Sequence, residues 1–292
     1  MATLTGIATK LTPQLPLGPR TWFRLGGAAE HFAEPQSADE LIALVKRCKA
    51  DNVPVRVLGS GSNLLVRDEG VKGVVISIES PCFQTMAQEG AAFRIGAGVQ
   101  LATAINETVR LGLAGLDTLV GIPGTIGGAL HNNAGTRAGD IGQWAASATV
   151  VTRSGEVLTR TRDELVFAYR QSSLDELVIL DATFELERDE PEVLTKRMQK
   201  QWIVKKANQP MSHQRTGQIF RNPRGMSAGM LIDQAGLKGA TVGAAEVSQK
   251  HGNFIVAHDG ATTNDVLKLI DVVRSRVAER LGVELEPALE IW

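Results

Sequence analysis

The chain has 292 residues, which at about 100–200 residues per domain is two domains or three. Its 43% hydrophobic and 22% charged residues exclude a disordered chain, and 31 Lys and Arg against 32 Asp and Glu exclude a basic nucleic-acid or anionic-membrane binder. Cys48 and Cys82, the two cysteines, exclude a disulfide framework and a cysteine-rich metal site.

Residues 1–20 hold a single Lys and no apolar stretch uninterrupted by Pro13 or Pro16, so no signal peptide is read there. No apolar run approaches the ~18–20 residues of a membrane span. The sequence therefore predicts a cytoplasmic protein.

Ser37-Ala38-Asp39-Glu40 is a capping box, and Leu41, Leu44, Val45 and Cys48 follow at helical spacing. Val55-Arg56-Val57-Leu58 is a short strand entering a glycine cluster, and Val74-Val75-Ile76-Ser77-Ile78 is another strand. Phe93-Arg94-Ile95 leads through Gly96-Ala97-Gly98 to a helix carrying Leu101, Ile105 and Val109. Ser154-Gly155 turns a hairpin between 148–152 and 157–160, and 177–186 is a strong strand.

The charged run Glu187-Arg188-Asp189-Glu190-Pro191 marks a domain boundary, which predicts domains 1–190 and 191–292. Beyond it the sequence predicts a long amphipathic helix to about Lys206, a polar loop over 208–217, and a strand Gln218-Ile219-Phe220. A helix near 227–235, a strand over 253–256, a helix with Val266, Leu269, Ile270, Val273 and Val277 on one face, and an extended segment over 285–292 complete the chain. The class is α+β or mixed α/β.

Glycine is the unusual count, at 30 residues, and it clusters. Gly59-Ser60-Gly61-Ser62-Asn63 follows a strand, and its backbone N–H groups form either an anion nest or a tight surface turn. Gly121-Ile122-Pro123-Gly124-Thr125-Ile126-Gly127-Gly128-Ala129 continues to Asn132-Asn133-Ala134-Gly135, where the absent side chains let a flat ring approach the backbone. Two such loops suggest one extended dinucleotide ligand.

Competing motifs are weaker. No Gly-Lys-Ser/Thr closes a phosphate loop, and Gly96-x-Gly98 has Leu101 where a dinucleotide fingerprint needs its third glycine. Gly225-Met226-Ser227-Ala228-Gly229 matches a hydrolase nucleophile elbow, with His251, His258 and Asp259 downstream. Pro223 and Arg224 break the strand that such an elbow requires, and the alternative is Ser227 as a helix cap.

With 21–27, 59–63, 121–135, Tyr169-Arg170-Gln171-Ser172-Ser173, Phe220-Arg221-Asn222-Pro223 and 231–239 in this order, the chain resembles the UDP-N-acetylmuramate dehydrogenase family, also called UDP-N-acetylenolpyruvoylglucosamine reductases. The short link from Arg170 to Leu177 resembles the branch without an inserted tyrosine loop. The resemblance implies an α+β architecture: an FAD-binding domain of the vanillyl-alcohol-oxidase (PCMH) type over 1–190, in subdomains of about 1–67 and 68–190, and a C-terminal α+β substrate-binding domain.

It also implies FAD and NADPH; a monomer is expected, and non-covalent FAD is expected because the glycine loops hold no clear residue for covalent attachment except His131. The substrate is UDP-N-acetylglucosamine enolpyruvate, reduced to UDP-N-acetylmuramate for peptidoglycan, and hence for cell shape and division. No metal and no nucleic acid is implied.

By resemblance, Gly59, Ser60, Gly61, Ser62, Asn63, Gly121, Ile122, Pro123, Gly124, Thr125, Gly127, Gly128, Asn133, Ala134 and Gly135 bind the cofactor. Tyr169, Arg221, Asn222, Gln234 and Lys238 bind substrate, and Arg170 is the catalytic arginine, whose forked guanidinium suits a carboxylate.

Two positions depart from the family pattern. Gln218 stands where a Ser or Cys delivers the proton, and Ala288 stands where a Glu follows Pro287. An amide is not a competent acid, and Glu286 and Glu290 each lie ~7 Å along the strand from position 288. Both departures strike the step on the enolpyruvyl substrate. The alternative reading is an FAD-binding paralogue in which that step is lost or weakened.

Overall fold

The computed structural model describes residues 8–90, 92–210 and 215–292. The chain forms two compact units, neither continuous in sequence. One comprises residues to Gln14, Glu30–Ser60 and Lys72–Ile203; the other comprises Leu15–Ala29, Gly61–Val71 and Val204–Trp292.

The first unit holds two sheets. Strands Leu11–Pro16, Ala28–Ala33, Val71–Ser77 and Val55–Leu58 lie side by side in that order, the last two parallel, and for most of their length belong to this unit. Helix α1 (Ala38–Ala50) buries Leu41, Leu44, Val45 and Cys48, the stripe that the helical spacing predicts. Its Ser37 Oγ accepts from Glu40 N at 3.2 Å, while the Glu40 carboxylate takes the N–H of Gln36 rather than that of Ser37. Burial, with Asp51 nearby, pushes the Cys48 thiol up to about 11.

The second sheet is five-stranded and antiparallel, in the order Val157–Thr161, Ala145–Val151, Val178–Glu185, Ala92–Gly96, Met86–Glu89. Helices α2 (Leu101–Arg110) and α3 (Ile126–His131) bury their apolar sides in the same core as Phe93, Ile95, Val150 and Phe184.

The second unit packs an antiparallel sheet, in the order Thr216–Gln218, Phe254–Ala257, Ala245–Val247, Thr241–Val242, with two of its three helices. These two are α5 (Ala228–Gln234) and α6 (Thr263–Leu281); the third, α4 (Pro191–Asn208), lies in the first unit as far as Ile203, and only its last residues belong to the second. The core of this unit is Phe23, Leu65, Phe220 and Ile232 with the α6 stripe Val266, Leu269, Ile270, Val273 and Val277. The predicted strand over 218–220 is shifted to Thr216–Gln218, and the polar loop over 208–217 includes 211–214, which lie outside the described residues.

Two expectations are corrected. The long helix α4 forms, but it is not amphipathic: Leu194 is its buried residue, and Trp202, Ile203 and Val204 are 43%, 67% and 54% exposed. Its apolar residues are scattered around the axis instead of recurring on one face. The units also do not divide at 190, because 61–71 belongs with the C-terminal residues. Leu64–Leu65 pairs in parallel with Glu290–Ile291, and Thr263 Oγ1 donates to the Val66 carbonyl at 2.7 Å. Such contacts across some 200 residues leave no local mark on a sequence.

Candidate active site

In the first unit the strand Val55–Leu58 ends at Gly59, beside the second glycine segment: a Cβ on Gly59 would lie 2.7 Å from Thr125 Oγ1. The 121–128 segment is pinned to 97–101 by Leu101 N to Gly124 O (2.8 Å), Ile126 N to Val99 O (2.9 Å) and Gly127 N to Ala97 O (2.9 Å). Thr125 Oγ1 accepts from Gly128 N and caps α3.

These anchors leave a particular set of donors without a protein partner. Among the described residues, the N–H groups of Gly59, Ser60, Gly121, Gly124 and Thr125 make no hydrogen bond, and neither does the buried Ser60 Oγ. In the second unit the same holds for the N–H groups of Gly61, at φ +61°, and Asn63. Unengaged backbone donors on consecutive residues suit an anion, and a buried hydroxyl without a partner suits a ligand that supplies one. A diphosphate has the acceptor oxygens that these groups lack, so the residues fit FAD.

The competing motifs do not survive. The N–H groups of Gly96, Ala97 and Gly98 donate to Thr85, Leu180 and Phe83, so no phosphate cradle remains there. Ser227 Oγ accepts from Met230 N and caps α5. His251 Nδ1 accepts from Asn253 N, and His258 pairs with Glu246 at 2.7 Å, so neither is turned to a nucleophile. Burial, with the Lys238 charge added, holds His251 below the usual histidine range.

Further along the first unit, residues 132–135 close a compact turn. The Asn133 and Ala134 N–H groups donate to Leu130 and Ala129, and the Asn133 amide bridges Gly142 N and the Ala168 carbonyl. Ala168 belongs to a small hairpin, Phe167–Ala168 with Gln171–Ser172, whose tip is Tyr169-Arg170. Arg170 has φ +57°, and its guanidinium carbon lies 5.7 Å from the Tyr169 ring centroid.

In the second unit Gln218 and Ala288 lie in neighbouring segments. Ala288 N donates to Ile219 O at 2.7 Å, and Arg221 N donates to Glu286 O at 2.9 Å. Asn63 Nδ2 donates to the Ala288 carbonyl at 2.9 Å, and Glu290 N donates to Asn63 O, which joins the end of the first glycine loop to the last segment of the chain. The Glu290 carboxylate accepts from Trp292 Nε1.

Arg221 Nε is buried without a partner, Asn222 Oδ1 accepts from Ala228 N, Lys238 pairs with Asp233 at 2.7 Å, and Gln234 is exposed. The sequence reading missed Asn253, which is buried and holds Phe220 through both ends of its amide, 2.9 Å to the N–H and 2.8 Å to the carbonyl. A single Asn followed by a strand gave no signal for a partner 33 residues away.

Comparison with known proteins agrees with this geometry. Residues 29–161 match the FAD binding domain family, and residues 209–292 match the C-terminal domain of UDP-N-acetylenolpyruvoylglucosamine reductase. UDP-N-acetylenolpyruvoylglucosamine reductase 2 of Symbiobacterium thermophilum is 40% identical over 95% of this chain and 90% of its own length. The reductase of Listeria monocytogenes is 38% identical over 98% and 95%. The crystal structure of the reductase from Thermus caldophilus superposes with a TM-score of 0.84 at 37% identity, covering 97% of this chain and 99% of that one. These relatives do not favour the reading in which the reductase step is lost.

Proposed function

The chain belongs to the UDP-N-acetylenolpyruvoylglucosamine reductase family, and from that premise we propose that it reduces UDP-N-acetylglucosamine enolpyruvate to UDP-N-acetylmuramate with NADPH. It is a flavin-dependent oxidoreductase whose cofactor is FAD. When bound, FAD supplies hydride transfer from NADPH to the vinyl carbon of the enolpyruvyl ether. The reading places the protein in the cytoplasm as a monomer, in the supply of peptidoglycan precursors.

The observation that carries the reading lies within the first unit: the unengaged donors on Gly59 and Ser60, with the orphaned Ser60 hydroxyl beside them. They would hold the diphosphate, and Gly121, Gly124, Thr125, Gly127 and Gly128 would let the ring lie against bare backbone. The Asn133 and Ala134 N–H groups are already engaged, so neither is proposed to donate to the cofactor.

Arg170 would bind the enolpyruvyl carboxylate and hold the negative charge that develops there. Tyr169 is proposed to bind substrate beside Arg170; in the second unit, the partnerless Arg221 Nε is a donor that suits an anionic group, and Asn222, Gln234 and Lys238 are proposed to bind substrate there. Neither Gln218 nor Ala288 carries a transferable proton, so the proton that completes the reduction comes from solvent or from another residue.

The test is direct. Purified protein is yellow, acid precipitation releases all of its flavin, and NADPH oxidation depends on added UDP-N-acetylglucosamine enolpyruvate. Colourless protein that takes up no FAD, or NADPH oxidation indifferent to the sugar nucleotide, overturns the proposal.

A further inference from the structure

Arg170 lies at the tip of a hairpin only two residue pairs long, in a left-handed backbone conformation that an L side chain disfavours. A hairpin of that size is marginal alone. Three hydrogen bonds from the end of α3 hold it. Asn133 Nδ2 donates to the Ala168 carbonyl just before the tip, at 2.8 Å. Ser172 Oγ, just after the tip, donates to the His131 carbonyl at 2.9 Å. His131 Nδ1 donates to the Leu174 carbonyl at 2.9 Å.

The Asn133 amide has one orientation. It is buried, and Oδ1 accepts from Gly142 N at 3.1 Å, so a flipped amide would set oxygen against the Ala168 carbonyl and nitrogen against an N–H. Asn133 itself stands at φ +42°, where α3 stops, and its N–H is engaged by Leu130. Its N–H is taken, and each end of its amide already has a protein partner.

We propose that Asn133, with His131 and Ser172, is the positioning element of the Arg170 turn, fixing the guanidinium relative to the glycine segment that opens α3. This rests on the reading of Arg170 as the carboxylate-holding cation. It moves Asn133 from the cofactor to the arginine: the residue acts through Arg170.

Tyr169 is the only tyrosine in the chain, so 3-fluorotyrosine labelling of the holoprotein gives one fluorine resonance, at the tip itself. Asn133→Asp keeps the acceptor for Gly142 and sets a carboxylate oxygen against the Ala168 carbonyl. It should shift or broaden that resonance and slow flavin reoxidation by UDP-N-acetylglucosamine enolpyruvate about 10²-fold, the cost of a misplacement near 1 Å. Because the clamp acts through the arginine, Asn133→Asp combined with Arg170→Ala should be no slower than Arg170→Ala alone.

Should Asn133→Asp fail to fold, His131→Leu removes a neighbouring bond and should act in the same direction, while His131→Asn keeps a donor near the Nδ1 position and should restore both readouts. An unmoved resonance in Asn133→Asp, or losses that add in the double variant, overturns the proposal. A moved resonance with wild-type reoxidation in both Asn133→Asp and Arg170→Ala overturns the reading of Arg170, and the proposal falls with it.

Discussion

Replacing Arg170 by Gly and, separately, by Ala isolates the backbone cost of placing a long side chain at φ +57°. Ala keeps the left-handed penalty of roughly 1–2 kcal/mol, and Gly escapes it. Gly gives back about 0.4–1 kcal/mol through the wider freedom of its unfolded chain. Both variants lose the cation–π contact with Tyr169, which is 55% exposed and contributes about 0.5 kcal/mol.

The balance makes Arg170→Gly more stable than Arg170→Ala by roughly 0.5–1 kcal/mol. Urea unfolding of the flavin-free proteins, followed by circular dichroism, measures this as a higher midpoint at an unchanged slope. Both variants turn over enolpyruvyl substrate about 10²–10³-fold more slowly, so an Arg170→Gly that is more stable but this slow would identify strain held at this turn for function. An Arg170→Ala variant as stable as Arg170→Gly, or more so, refutes the argument.

Other outcomes follow from individual side chains. Ser60→Ala removes a buried hydroxyl that has no partner in the protein; it should leave the flavin-free protein at least as stable and weaken FAD binding about tenfold or more, the worth of a hydrogen bond to a charged group. Calorimetric titration with FAD measures this, and unchanged affinity removes Ser60 from the site. Gln218→Ser combined with Ala288→Glu should speed reoxidation by enolpyruvyl substrate at least ~10²-fold, the two changes being non-additive; no gain would mean that a different group supplies the proton. His251 is held below the ordinary histidine range by burial, so the unfolded chain takes up a proton that the fold resists. Its contribution to stability is full above about pH 6.5 and is lost as the pH falls below it, so His251→Gln should flatten the urea-midpoint curve there, and parallel curves for the two proteins would contradict this.

Much of the fold was legible because its signals are local. The α1 stripe, the Ser154-Gly155 hairpin, the Ser227 cap and the α6 stripe each follow from residues within a few positions of one another. The glycine loops were legible as a pair of candidate nests, but only the folded backbone reveals which donors are unengaged: those of Gly59 and Gly124 are, that of Gly127 is not. The parallel pairing of Leu64–Leu65 with Glu290–Ile291 and the Asn63 link to Ala288 join distant segments whose own residues are unremarkable. Helix α4 was misread because Trp202, Ile203 and Val204 look like core residues in sequence and stand exposed on a helix without an apolar face. Asn133 read as a loop residue of a cofactor site; its amide engages a carbonyl 35 residues away, a role that spacing does not reveal.

The central claim is that this chain passes reducing equivalents from NADPH to an enolpyruvyl sugar nucleotide with Arg170 holding the substrate's charge. Anaerobic stopped-flow absorbance on the two half-reactions tests it most directly. NADPH should bleach the flavin in wild type and in Arg170→Ala alike. UDP-N-acetylglucosamine enolpyruvate should then restore the colour in wild type, with Arg170→Ala slower in that step alone by about 10²–10³-fold. A wild-type flavin that stays bleached after the sugar nucleotide is added, or an Arg170→Ala enzyme that recovers at the wild-type rate, would contradict the account.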